Sequence, residues 1–276
     1  MSTVPSFLAD LVDDAALFPP ASIPLPEAVA AHREHRASSY AAMVGPFVIS
    51  DIKLPDLLEV LEDSTEALAV SVVVTGGAGA IEPAVRWATR SGLLDVRALE
   101  TPLRNEDDLA RNASRVVTAI DHVREDLGDI PVYVEPPRIP DGPSHQWLAA
   151  LDEIASAGLR LKFRTGGVDL DAFPSATELA AGIDAALDRE LPFKCTAGLH
   201  HAVRTDHQHG FLNILAATAA AFDGAPRGDV IAELETSDIK IQTDGFDTAR
   251  RWFTSFGCCA VEDPLEDLIE LGLLQP

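Results

Sequence analysis

Short apolar runs alternate with longer stretches of helical periodicity from one end of this 276-residue chain to the other, and no other feature restricts its fold as strongly. The runs at 41–49, 68–74, 94–99, 130–134, 159–163, 192–196 and 257–261 read as buried strands. A weaker first strand ends at Leu17 and Phe18, where Pro19-Pro20 blocks extension. Apolar spacing near 3.6 predicts helices over 26–35, 54–61, 81–89, 106–127, 144–157, 175–187, 210–222 and 264–271, with Ser144 as an N-cap. A helix and a short extended piece fill a small insertion at about 225–253, before the last strand. Eight strand–helix repeats with short connections predict an α/β protein with one domain, a closed (β/α)₈ or TIM barrel. An open doubly wound sheet usually stops at about five or six strands.

Charge and cysteine usage exclude several classes. A net charge of −23 repels phosphate backbones, and no basic stripe offsets it, so nucleic-acid binding is not expected. No window reaches the roughly 18 apolar residues that would span a bilayer, so no membrane partner is expected. Asp10, Asp13 and Asp14 interrupt the first residues, which therefore do not read as an export signal. Cys195, Cys258 and Cys259 are the only cysteines, and two of them are adjacent. That pattern argues against a disulfide framework and fits a reducing, cytoplasmic setting.

In barrels of this kind the reactive groups gather at the C-terminal strand ends. Glu100 follows the fourth strand, Glu135 the fifth, Lys162 and Arg164 end the sixth, Lys194 lies in the seventh, and His200 and His201 come just after it. Side chains alternate along a strand, so Lys162 and Arg164 share one face while Leu161 and Phe163 share the other. By the same parity Lys194 and Thr196 face the barrel, and Phe193 and Cys195 face the helices. Two lysines on neighbouring strands thus converge. Poor hydration and a second ammonium nearby both lower a lysine pKa, which predicts a nucleophilic amine suited to Schiff-base chemistry. A glutamate across the barrel would move the proton.

The segments Lys162-Phe163-Arg164-Thr165-Gly166-Gly167 and Lys194-Cys195-Thr196-Ala197-Gly198-Leu199 resemble the paired lysine motifs of class I deoxyribose-phosphate aldolases. The resemblance implies that Lys162 forms the Schiff base, that Lys194 tunes its pKa, and that Asp95 corresponds to the family's strand-four aspartate. Arg164 stands where the family has a small residue, and His200 and His201 replace Ile-Arg-like residues. The reaction it implies is a carbon–carbon lyase acting on a small carbonyl compound, with Glu100 or Glu135 as proton shuttle.

Arg164, with backbone amides of Gly166 and Gly167, is expected to hold an anionic group of a small-molecule substrate, and His200 and His201 to line the same site. No cofactor is required by this reading. An alternative is a divalent-metal lyase or isomerase stabilising an enolate, with Glu100, Glu135 and His200 as ligands, although the histidine spacing matches no zinc motif. A second alternative is a non-catalytic binding barrel. Self-association into a homo-oligomer is compatible with each. Cys258 and Cys259 read as structural thiols, since a nucleophile would need an activating neighbour that the sequence does not place.

Overall fold

A computed structural model describes residues 4–106, 108–238 and 245–275. Its core is a closed barrel of parallel strands in sequence order: β1 (Val12–Asp14), β2 (Val44–Ser50), β3 (Leu68–Val73), β4 (Leu94–Pro102), β5 (Val132–Glu135), β6 (Arg160–Arg164), β7 (Phe193–Thr196) and β8 (Phe253–Cys258). β8 pairs back onto β1 and closes the ring. The crossover helices are α1 (Leu25–Arg36), α2 (Leu54–Val60), α3 (Ala78–Arg90), α4 (Leu109–Asp121), α5 (Arg124–Leu127), α6 (His145–Ser156), α7 (Ala176–Leu187) and α8 (Phe211–Phe222), followed by α9 (Arg227–Glu235), α10 (Phe246–Ala249) and α11 (Glu262–Glu270). The chain is a single-domain TIM barrel, as its alternating pattern predicts.

The strand parity read from the sequence holds where it matters. Phe163 and Phe193 leave the barrel together, their ring centroids 5.2 Å apart, and Phe193 stacks on Phe253 at 5.6 Å. Phe256 stacks on Phe211 of α8 at 5.0 Å. Fully burying each such ring removes apolar surface worth about 1.5–3 kcal/mol, which seats the late helices on the barrel. Ser144 caps α6 as expected, accepting from the Trp147 amide at 3.2 Å. Ser175 does the same for α7 through Glu178 at 3.1 Å.

Both end strands lie upstream of their expected positions. β1 comprises Val12–Asp14, and Leu17 and Phe18 belong to the turn beyond it. Two of its three residues are acidic, which masks it as a strand. The two acids point to opposite faces: Asp14 accepts from buried His32 of α1 at 2.9 Å, while Asp13 points into the barrel. β8 begins at Phe253, because Phe253 and Phe256 must pack outward against β7 and α8. The helix expected over 106–127 is divided by a turn at His122 and Val123 that buries Val123. In the insertion, Asn213 of α8 donates to the Glu233 and Thr236 carbonyls at 2.7 and 2.8 Å and ties down the end of α9. Residues 239–244 of this insertion, where a short extended piece was expected alongside a helix, lie outside the described residues.

Candidate active site

Lys162 and Lys194 are direct register partners on β6 and β7. They are only 3% and 2% exposed, yet both line a cavity of about 680 Å³ at the C-terminal end of the barrel. Lys162 Nζ donates to Glu100 Oε2 at 3.0 Å and pairs with Glu135 Oε2 at 2.8 Å. Lys194 Nζ donates to the other Glu100 oxygen at 2.6 Å and to Asp13 Oδ2 at 2.5 Å. Arg164 Nε completes the line by donating to Glu135 Oε1 at 2.8 Å. Charges therefore alternate from the mouth inward: Arg164, Glu135, Lys162, Glu100, Lys194, Asp13.

Hydroxyl groups fix the carboxylates. Ser71 of β3 donates to Glu100 at 2.6 Å, and Ser255 of β8 donates to Asp13 at 2.8 Å. Gly45 of β2 lacks the Cβ that would occupy the space of the Asp13 carboxylate. Tyr133 of β5 places its ring 5.4 Å from Lys194 Nζ, within cation–π range. Asp13, Ser71, Tyr133 and Ser255 carry no mark in the sequence, and only the alternation of their strands could have suggested them.

Glu100 reaches the interior through an irregularity in β4. Val70 of β3 pairs with Val96, but Ser71 pairs with Ala98, so Arg97 is an extra residue that reverses the facing of the strand beyond it. Asp95 precedes that irregularity, near the start of β4, where its carboxylate meets Arg97 at 2.5 Å; it does not line the cavity and does not take the role that the family resemblance assigned to it. Glu100 is the carboxylate that β4 delivers to the lysines.

The expected lowering of the lysine pKa is corrected by these carboxylates. Burial alone would lower Lys162, but Glu100 and Glu135 outweigh it and hold the ammonium above its ordinary range. Burial would likewise lower Lys194, and Asp13 and Glu100 hold it well above. Conversely, burial alone would raise Glu100 and Glu135, yet Lys194 and Lys162 hold Glu100, and Lys162 and Arg164 hold Glu135, below the carboxylate range. Asp13 is raised, because its burial exceeds what Lys194 returns. Proximity of the two ammonium groups is thus not the governing interaction in the resting site; each lies nearer to carboxylates that neutralise it.

The remaining candidates divide. His200 lines the cavity, with Nδ1 2.9 Å from Asp263 Oδ2. His201 turns away to Asp267 of α11 at 3.3 Å and does not line the cavity. His207 lines the cavity and packs edge-on against Phe173 with centroids 4.7 Å apart, whereas His209 is buried against the Pro174 carbonyl at 2.9 Å. Gly166 and Gly198 meet backbone to backbone: a Cβ on Gly166 would lie 2.7 Å from the Gly198 Cα. That contact, and the bond from Thr165 Oγ1 to the Ala197 carbonyl at 2.7 Å, locks the loops after β6 and β7 together. Gly167, not Gly166, lines the cavity beside Arg164. The alternative ligand set Glu100, Glu135 and His200 is not assembled: among the described residues no three His, Cys, Asp or Glu side chains are grouped to hold an ion. Both glutamates are instead committed to lysines.

Fold and cavity together define a (β/α)₈ barrel with an ionisable site at the strand ends. In structure the chain is similar to a deoxyribose-phosphate aldolase of Aeropyrum pernix, described as tetrameric, with 13% identity, a TM-score of 0.54, and 96% and 92% of the two chains covered. A Coccidioides immitis protein assigned as a deoxyribose-phosphate aldolase gives 12% identity and a TM-score of 0.49, covering 97% and 88%. The HMG-CoA lyase of Brucella melitensis gives 13% and 0.47, covering 96% and 91%. At these identities the likeness establishes the barrel fold alone. No family profile matches the chain, and no curated protein matches it in sequence. No helix among the described residues is long and apolar enough to cross a membrane.

Proposed function

We propose that the protein is a carbon–carbon lyase of the class I aldolase type, in which Lys162 forms an imine with a small, anionic carbonyl compound. The observation that carries this reading is the placement of Lys162 Nζ between two carboxylates, 3.0 Å from Glu100 and 2.8 Å from Glu135, at the floor of a cavity that Arg164 also lines. An ion-pair network of this depth is a poor way to stabilise a fold, because each buried charge costs several kcal/mol to desolvate. Clustered ionisable groups in a cleft are the mark of a reactive site.

The resting site stores Lys162 as an ammonium ion, so the first step is a proton transfer along one of its two hydrogen bonds. Glu135 is the better acceptor, because its low proton affinity depends in part on Arg164. An anionic substrate group that draws Arg164 toward itself weakens that hold, raises the proton affinity of Glu135 and frees the amine. Nitrogen attack on the carbonyl gives a carbinolamine, and protonated Glu135 returns its proton as the hydroxyl leaves as water. Cleavage of the adjacent C–C bond then sends its electrons into the iminium. Glu100, reached by both lysines, takes the hydroxyl proton as that bond breaks and then delivers it to the resulting enamine carbon; water hydrolyses the iminium that forms and frees Lys162. Lys194 acts here as the fixed cation that keeps Glu100 ionised between turnovers, replacing the tuning role that the family resemblance implies for it.

The shared fold with a deoxyribose-phosphate aldolase and the paired lysine motifs support the reaction class. The tetramer described for the Aeropyrum pernix protein and the exposed Val168 and Leu170 in the loop after β6 support self-association of this chain, which light scattering in solution tests. Borohydride reduction in the presence of short aldehydes and ketones bearing a phosphate or carboxylate, followed by peptide mass spectrometry, tests the chemistry. A reduced adduct on Lys162 is expected. Absence of any adduct, or an adduct confined to Lys194, overturns the assignment.

A further inference from the structure

A second group of reactive side chains opens on the same cavity from the opposite side of the β8 end. Cys259 lines the cavity just beyond β8, and its Sγ lies 3.9 Å from His200 Nε2. The other nitrogen of that ring, Nδ1, is 2.9 Å from Asp263 Oδ2 in α11. Contacts with Cys258 and Cys259, together with the Asp263 carboxylate, push this imidazole up to about 11, so a proton shared between Nε2 and the Cys259 sulfur favours the ring. Thiol, imidazole and carboxylate thus stand in the order that activates a cysteine nucleophile.

Its neighbour Cys258 touches the same imidazole but is closed off from the cavity. The Cys258 Sγ lies 3.7 Å from His200 Nδ1, but the residue is 1% exposed, does not line the cavity, and donates its S–H to the Ala260 carbonyl at 3.0 Å. Burial pushes its thiol up, which keeps it protonated. Cys195 is buried among the outward-facing residues of β7, and burial pushes it up further. Of the three thiols, Cys259 alone lines the cavity, and it does so with the imidazole beside it.

We propose that Cys259 is a second nucleophile of this cavity, activated by His200 with Asp263 as its positioning residue, and that it captures an aldehyde reversibly as a thiohemiacetal. The Sγ proton passes to His200 Nε2, and sulfur attacks the carbonyl carbon. The S–C bond forms as the C=O π bond opens, and the imidazolium returns its proton to the new alkoxide. No oxidant or reductant enters, and the reverse steps release the aldehyde unchanged. The choice of aldehyde rests on the lyase reading, since cleavage of a hydroxycarbonyl compound releases one beside the lysines; the activated thiol itself does not.

Alkylation by iodoacetamide at neutral pH, read by peptide mass spectrometry, tests the proposal on the intact protein. Cys259 is expected to react well ahead of Cys258 and Cys195, and His200→Asn to slow it by roughly tenfold, the scale on which a neighbouring imidazole raises the thiolate fraction. Asp263→Asn, at a half-exposed side chain on a helix end, is expected to slow it several-fold and carries the test if the histidine variant does not fold. Propanal, unable to alkylate, is expected to protect Cys259, whether or not borohydride traps an adduct on Lys162. Alkylation of Cys259 that is no faster than that of Cys258, or that is unchanged in both variants, overturns the activated thiol. Full activation without protection by propanal overturns the aldehyde as its ligand. Loss of the Lys162 adduct alone counts against the lyase reading and leaves the thiol result standing.

Discussion

Lys162 and Lys194 face each other across β6 and β7 and bind opposite oxygens of one carboxylate, Glu100, at 3.0 and 2.6 Å. Glu100 is consequently the hinge of the site: it neutralises two ammonium ions and separates a Lys162 side open to Arg164 and Glu135 from a Lys194 side closed by Asp13, Ser255 and Tyr133.

Replacing Glu100 by Gln leaves two buried ammonium ions with one fewer carboxylate between them. Breaking a buried pair in this way costs about 3–5 kcal/mol, so E100Q is expected to unfold at markedly lower urea concentration than the parent. A change in stability below about 1 kcal/mol would show that the lysines find other partners or that the site is wetter than its geometry implies.

The same variant has a defined pH signature. Glu100 and Glu135 are held below their unfolded value, near 4.3, so their contribution to stability is present above that pH and is lost as pH falls through their folded values. Asp13 is raised, so it contributes in the opposite sense, favouring the fold while protonated and losing that contribution as pH rises past 3.8. The lysines are raised, so their contribution is present below about 10.4 and is lost only as pH climbs through their higher folded values. The stability gap between parent and E100Q is therefore expected to be level from about pH 5 to about pH 10 and to narrow in acid. Urea titrations across pH measure this; a gap that persists undiminished at the acid end contradicts the pairing.

Lys194→Met strands Asp13 and Glu100 without their shared cation. We expect a loss on the order of 3 kcal/mol or more, partly recovered by adding Asp13→Asn, because the second change removes one of the two uncompensated charges. Strict additivity of the two substitutions in a double-mutant cycle would deny their coupling.

Arg164 sits at the rim, with about half its side chain exposed, and among the described residues hydrogen-bonds only Glu135. Arg164→Met is expected to leave folding essentially unchanged, to raise KM for anionic carbonyl substrates at least tenfold, and to act less on uncharged analogues. Equal losses on charged and uncharged substrates would place Arg164 outside anion recognition.

Gly198 adopts φ +74° and lies against Gly166, where a Cβ would fall 2.8 Å from the facing Cα. Gly198→Ala combines strained backbone with overpacking and is expected to cost about 2–4 kcal/mol, more than an alanine at open Gly224. Thermal melts of both variants compare them; equal losses would mean that the loops after β6 and β7 separate freely.

Eightfold alternation of apolar runs and helical stretches, together with period-two facing on β6 and β7, was enough to specify the barrel and to turn Lys162 and Lys194 into it. Both features are local, and burial on both faces of each strand writes them directly into the chain. Where Glu100 points was not local. It depends on the extra residue at Arg97, a register shift visible only against β3, so strand parity alone could not say how Glu100 and Asp95 face relative to each other. Asp13 was hidden because a three-residue strand carrying two acids has no apolar signature, and its meaning depends on Lys194, 181 residues away. The lysine pKa direction turned on the same long-range pairs: Coulomb energy falls with distance in space, which the sequence does not record, so the converging lysines and nearby glutamates could be foreseen, while the short distances that let the carboxylates outweigh burial could not. The contact of Cys259 with His200 belongs to that second class, since only closure of the barrel brings the end of β8 beside the loop after β7.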